Sequence, residues 1–562
     1  MTFPWLTALI VWPLLAALAT ALTGVGRGRP AATGTGAGRF GGTAARVVAL
    51  AGALVEVLLL VGAFTAFDTT RAGEHQLAET HDWIPAIGAS YAVGVDGVGL
   101  LLVALSVGLV PLVILAAWRE QGGDDSRLRR YLAVVLVLEA FMVAVFAARD
   151  VFLFYVLFEA MLIPAYFLIG GFGQGAQRRY AAVKFLLYSL AGGLIMLVAV
   201  IALYLQVPAA ERGPRTFLTE NLTGLELGTT EGRLMFAAFF LAFAIKAPLV
   251  PVHSWLPDVA ENATPGTSTL LVCVLDKVGT FGMLTLCLPL FPEASRWAAP
   301  FVIVLAVVSI LYGAILAIGQ SDLLRLVGYT SVSHFGFIVL GIFTFTSLGT
   351  SGSSLMMLNH GISTGALFLV AGFVIARHPA RSQRIADYGG LRTVAPVLGG
   401  TFLVAALSAA ALPGLATFVS EVMVFLGAFG RAPVAALVAV PAVVLAAVYV
   451  LLTYQRIFTG TVPAHLGGDA AREATDDGTP PLEDTVSRTR EDAPVRDLDA
   501  RERTVAGVLV GALLVLGLVP GLALRYVDAP GQVAVELVGE SDPPPVLGAQ
   551  PVDARPTEGS LS

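Results

Sequence analysis

Long apolar runs, broken by charged or Gly/Pro-rich segments, set the pattern of this chain. A helix of roughly 20 mostly apolar residues crosses a ~30 Å hydrocarbon core, and reading for such runs predicts about fourteen spans. Their limits fall near 4–23, 46–67, 97–118, 131–147, 150–171, 180–206, 233–252, 267–290, 299–319, 323–346, 354–376, 396–428, 433–457 and 504–524. The first run has no basic residue before Arg27, so the charged segment of a signal peptide is missing and the run reads as a retained span. The expected fold is an all-α polytopic membrane protein. Its expected parts are an N-terminal unit (1–130), two five-span units (131–290 and 299–457), an acidic disordered loop (459–503), a last span (504–524) and an acidic flexible tail (525–562).

Composition agrees. The chain is 56% hydrophobic and 13% charged, against about 25% charged in soluble proteins, which excludes an ordinary soluble enzyme. Its two cysteines, Cys273 and Cys287, share one apolar run, so no disulfide framework exists. The net charge of −6 is concentrated: 459–503 holds 6 basic and 11 acidic residues, and 528–562 holds 1 and 6. The remainder is mildly basic, and nothing suggests nucleic-acid binding. Loops after odd-numbered spans carry fifteen arginines and those after even-numbered spans seven. The positive-inside rule therefore predicts both termini outside and the 459–503 loop in the cytoplasm. Only three lysines occur, Lys184, Lys246 and Lys277. Base composition can explain their scarcity, but it does not explain why Lys246 and Lys277 sit inside apolar runs.

A charge at the bilayer centre costs ~2.5–3.5 kcal/mol on insertion scales. Six spans carry such a group at similar depth: Glu159, Lys246, Lys277, His334, His360 and Glu421. One buried His more often makes a structural hydrogen bond. Six mixed acids and bases point instead to proton handling, because Lys, His and Glu exchange protons once burial moves them, whereas Arg does not. Backbone breaks add to this. Pro248 leaves the carbonyl of Ala244 without its helical partner, and Pro413-Gly414 frees that of Ala409. Broken helices survive at membrane depth only inside protein or beside a wet cavity. Spans seven and twelve are five apart, which predicts two inverted five-span repeats, 4–8 and 9–13. Span five with Glu159 then corresponds to span ten with His334.

Four motifs carry a family resemblance. They are Phe158-Glu159-Ala160-Met161-Leu162-Ile163-Pro164, Lys246-Ala247-Pro248-Leu249-Val250-Pro251-Val252-His253-Ser254-Trp255-Leu256-Pro257-Asp258, Tyr329-Thr330-Ser331-Val332-Ser333-His334-Phe335-Gly336, and Leu412 through Glu421. Over about 90–460 the chain resembles the antiporter-like membrane subunits of proton-pumping NADH:quinone oxidoreductase, respiratory complex I. Among the three such subunits it is most similar to the M type, since the L and N types have a lysine where Glu421 stands. The resemblance implies that Glu159 pairs with Lys246 in a first half-channel. It also implies that Lys277 is the central relay, that His334 and His360 bridge to the second half, and that Glu421 is the terminal exchange site. It implies no cofactor on this chain, with FMN, iron–sulfur clusters and quinone in partner subunits. Its implied setting is a multi-pass place in a bacterial cell membrane, beside the L- and N-type subunits and the lipid bilayer.

Some positions depart from the family pattern. Val259-Ala260 replaces Ala-His, and Asp276 precedes Lys277 where the pattern has an apolar residue. A charged neighbour there hinders proton release by Lys277, unless the ~100° between successive helix positions turns it to another partner. Lys184 receives no role. The main alternative is a subunit of an Mrp-type cation/proton antiporter or membrane-bound hydrogenase, which shares these motifs. A free-standing solute carrier needs a substrate pocket that the motifs do not supply, and a membrane scaffold needs none of the titratable groups.

Overall fold

In hydrocarbon each backbone N–H and C=O must find its partner within the chain, so apolar runs close into helices. The computed structural model describes residues 3–23, 39–120, 125–209, 212–466 and 495–544. Among these, eleven helices are long and apolar enough to cross a membrane, or twelve with a bent C-terminal pair. The two remaining expected spans are the interrupted ones. Span seven is Thr229–Lys246, which carries Glu231, Arg233 and Lys246, followed by Trp255–Asn262. Span twelve is split into Pro396–Ala409 and Ala416–Arg431. Both predicted breaks are present.

The first five-span unit runs through Asp125–Ala147, Val151–Phe172, Arg178–Gln206, broken span seven and Pro265–Leu290. The second runs through Pro292–Ile318, Leu323–Phe343, Ser347–Arg377, broken span twelve and Pro433–Phe458. Span seven packs on span six, and span twelve correspondingly on span eleven. Spans eight, ten and eleven form the interior, whereas spans two, six, nine and thirteen bury less than half of their most apolar stretch. These three interior helices are the least apolar of the eleven.

Three features differ from the sequence expectation. A two-stranded antiparallel hairpin, β1 (Gln76–Ile84) and β2 (Ala89–Val95), joins spans two and three. Ala89–Val95 pairs edge to edge with β1 and is mostly buried. The last span, Ala500–Leu518, turns by 63° at Val519-Pro520 into a further helix, Gly521–Leu537. This helix buries Ala523, Tyr526, Val527, Ala534 and Val535, so the predicted flexible tail is helical up to 537. The end of the predicted acidic loop is docked too: Asp497 caps the start of span twelve by accepting from the amides of Val397 and Leu398, both at 2.9 Å. Residues 467–494 of that loop and 545–562 of the tail lie outside the described residues.

Candidate functional site

Span seven ends its first half on Lys246. The chain turns there because Pro248 offers no N–H. The carbonyl of Ala244 lacks its helical partner as expected, and the turn carries the amide of Leu249 back to it at 3.0 Å instead. The indole Nε1 of Trp255 donates to the next carbonyl, Ile245, at 2.9 Å. Lys246 itself is fully buried and its Nζ donates to no described residue. It rests over the rings of Phe158 and Phe185, 4.8 and 5.5 Å from their centroids, a cation–π setting that substitutes for water.

Glu159 follows Phe158 on span five. Its half-buried carboxylate lies against Gly193 of span six and has no hydrogen-bonding partner. A Cβ at Gly193 would stand 2.5 Å from Glu159 Cδ and 3.1 Å from Oε2, so only glycine leaves room for the carboxylate. The closed ion pair implied by the resemblance is therefore not formed. Both groups occur at this place, but each is unbonded, with the Phe158 ring beneath the ammonium.

Span eight begins at Pro265 and carries a π-helical turn, Leu271–Leu275, just before Lys277. Single π-turns of this kind recur at functional sites. Lys277 is fully buried; its Nζ donates to the Val272 carbonyl at 2.9 Å and lies 2.7 Å from His360 Nδ1. An ammonium can only donate, so Nδ1 accepts and the His360 proton sits on Nε2. The imidazoles of His360 and His334 are stacked obliquely, with centroids 5.0 Å apart. His334 Nε2 in turn donates to the Ala409 carbonyl at 3.1 Å. That carbonyl is the one freed by Pro413. Lys277, His360 and His334 thus line up from span eight through spans eleven and ten to the break in span twelve, with ring contact rather than a hydrogen bond between the two imidazoles. Asp276 takes no part: it is buried, and neither carboxylate oxygen bonds to Lys277 or to any described residue.

The remainder of the break in span twelve is held by polar side chains. Asn359 Nδ2 donates to the Ala416 carbonyl at 2.6 Å, and the Thr417 hydroxyl donates to that of Ser408. Glu421 lies one to two turns further on, 6% exposed, with no hydrogen bond to a described residue. The structure therefore bonds Lys277 to His360 and sets the His334 ring beside it, with no hydrogen bond between the two imidazoles. It leaves Lys246, Glu159 and Glu421 as separate stations at the two ends.

Two clusters were missed by sequence reasoning. Lys184 of span six donates to Asp258 Oδ2 at 2.7 Å and to the Ser254 carbonyl at 2.9 Å. Arg325 of span ten binds Asp258 Oδ1 at 2.8 Å and Glu261 Oε2 at 2.7 Å. Asp258 thus ties the second half of broken span seven to both five-span units. Its signal was the carboxylate beside Pro257, and its partners lie 74 and 67 residues away. The second cluster is Glu56 with Glu139, both acids inside apolar runs, to which the reasoning that selects Glu159 applies equally. Among the described residues no group of three or more His, Cys, Asp or Glu side chains could hold a metal ion.

A polytopic helical bundle with two matched helix breaks and a buried Lys–His–His file is the architecture of an antiporter-like ion-translocating subunit. Comparison with known proteins agrees. Residues 148–446 match the family described as NADH:quinone oxidoreductase/Mrp antiporter, TM. NADH-quinone oxidoreductase subunit M of Mycobacterium tuberculosis (strain ATCC 25618 / H37Rv) is 46% identical over 514 residues, covering 86% of this chain and 88% of that protein. In the solved structure of respiratory complex I from Thermus thermophilus with bound NADH, one chain is similar with a TM-score of 0.77 and 30% identity. The match spans 94% of this chain and all of that one. The Mrp complex from Dietzia sp. DQ12-45-1b contains a chain with a TM-score of 0.74 over 96% of this chain and all of that one, at 23% identity, a likeness of fold alone. The chain belongs to the NADH-quinone oxidoreductase subunit M family.

Proposed function

We propose that this chain carries protons across the membrane as a subunit of NADH:quinone oxidoreductase, along a file that starts at Glu159 and Lys246 and ends at Glu421. The reading rests on the contact between Lys277 and His360 at 2.7 Å. Lys277 gives a proton to Nδ1 of His360, and the ring releases its other proton from Nε2 toward His334. Each imidazole takes a proton at one nitrogen and gives one up at the other, so net charge moves without any side chain crossing the file. Lys246 feeds the file from the first unit. When Glu159 approaches, its charge holds the Lys246 proton; when it withdraws, that hold is lost and the proton can pass on. Glu421 receives protons at the far end, in the second half of broken span twelve.

In this reading the redox chemistry lies in partner subunits, and electron transfer reaches this chain as a displacement of charges. Its partners are the other membrane subunits of the complex, the L- and N-type among them, in a bacterial cell membrane with both termini outside. The test uses the whole complex in proteoliposomes, reading NADH-driven acidification against NADH oxidation. Lys246→Ala and Lys246→Arg should both assemble, oxidise NADH and lose pumping, because guanidinium holds its proton. Normal pumping by Lys246→Arg refutes the proton-release role. Purification without NADH dehydrogenase subunits, together with Na⁺-dependent proton exchange, would point to the Mrp alternative instead.

A further inference from the structure

Spans two and four each carry one acid that the proton file does not use. Glu56 lies in Leu54-Val55-Glu56-Val57-Leu58 and Glu139 in Val137-Leu138-Glu139-Ala140-Phe141. Both side chains are completely buried, and the two helices pack against each other. No N–H, hydroxyl or cation among the described residues reaches any of their four carboxyl oxygens. Each carboxyl meets the other, and the contact becomes a hydrogen bond once one of the two is protonated.

Nothing nearby neutralises a second charge. Spans one (Trp5–Leu22) and three (Gly97–Ala116), which pack against this pair of helices, contain no ionisable residue. The charged residues described on the same helix as each acid, Arg46 on span two and Asp125, Arg127, Arg129 and Arg130 on span four, lie at least nine positions from it, about 13 Å along the helix, and Tyr131 of span four lies eight positions from Glu139. Spans five and eight, which also touch span four, bring Glu159, Asp276 and Lys277, and none bonds to either acid. Two adjoining carboxylates without a cation do not both ionise; such a pair shares a proton. An isolated ionised carboxylate in hydrocarbon is also costly, which marks intramembrane acids as functional candidates.

We propose that Glu56 and Glu139 form a proton-binding site of their own, a carboxyl pair bridging spans two and four that stays protonated at one or both carboxyls at neutral pH, apart from the Glu159–Glu421 file. Both residues precede the part of the chain that matches the family, 148–446.

Infrared spectroscopy of the purified complex in lipid at pH 7 tests this directly. The wild-type spectrum minus that of the Glu56→Gln/Glu139→Gln double variant should contain the C=O stretch of a protonated carboxyl. A difference containing only ionised-carboxylate bands overturns the proposal. Should the double variant fail to assemble, the wild type still decides the matter. Dicyclohexylcarbodiimide enters membranes and attacks protonated carboxyls, and peptide mapping should find its adduct on Glu56 or Glu139. Absence of adduct at both positions, with other membrane carboxyls labelled, refutes the bound proton.

Discussion

Gly193→Ala isolates the position of one carboxylate. The new methyl would stand 2.5 Å from Glu159 Cδ and 3.1 Å from Oε2. Glu159 Oε1 lies closer still to the new methyl, and ordinary contact needs about 3.5 Å, so the carboxylate must retreat by about 2 Å. The atoms displaced are the far end of a flexible side chain with no hydrogen bonds to break. The fold therefore tolerates the change, and subunit assembly should be unaffected. Proton transfer depends on placement more steeply: a 1 Å error in a reacting group can cost about 100-fold. Proteoliposomes containing the whole complex, assayed for NADH-driven acidification, should show pumping reduced at least tenfold while the complex assembles. Gly108→Ala is the matched control, because a Cβ there meets nothing within 4 Å. Equal pumping by Gly193→Ala and Gly108→Ala would refute the claim that Glu159 acts from the position it occupies against span six.

Other expectations follow from the same geometry. Glu421→Gln should lose most proton flux while Glu421→Asp retains part of it, since only the latter keeps an exchangeable acid; equal flux in the two excludes an exchange role. Asp258→Asn removes the anion between Lys184 and Arg325 and should destabilise the complex by about 1–3 kcal/mol, read as a lower thermal midpoint, whereas an unchanged midpoint would show the bridge to be energetically idle. Glu120, just beyond the end of span three, lines a polar cleft of about 520 Å³ with Arg381 and Arg501. Burial pushes its carboxyl up from 4.5 to about 7, against the pull of those two arginines. The folded chain then holds this proton more tightly than the unfolded one, so stability declines as pH rises from about 4.5 to 7. The thermal midpoint of Glu120→Gln should fall less over that window than the wild type's; parallel curves count against the assignment.

The spans, the two breaks and the six intramembrane residues were legible because each is a local signal: an apolar run, a proline within it, an ionisable group at depth. Their relations were not. Whether Glu159 touches Lys246 depends on a glycine 34 positions away in span six, and that residue reads as one small residue among many. Lys184 had no role because its carboxylate partner lies beyond a broken helix. Glu56 and Glu139 carry the same local signal as Glu159 and were passed over without a motif to mark them. The helix beyond Pro520 was hidden by its polar residues: Arg525, Asp528 and Glu536 interrupt the apolar pattern, while Tyr526, Val527 and Ala534 still supply a buried face.

The two breaks also differ in a way that bears on mechanism. In span seven the chain closes its own gap, since the amide of Leu249 and the indole of Trp255 take the carbonyls of Ala244 and Ile245. Neither donor titrates. In span twelve the freed carbonyl of Ala409 is held by His334, whose Nε2 proton is the one it would pass on. The geometry of this break is thus tied to the protonation of the file, and the first break is not. A proton leaving His334 Nε2 strands the Ala409 carbonyl in a dry interior, where an unpaired backbone group costs about 1–3 kcal/mol. The helix end must then shift or take up water. Because Glu421 sits on the second half of the same broken span, the final transfer carries its own local rearrangement, whereas Lys246 hands on its proton beside carbonyls whose donors do not titrate.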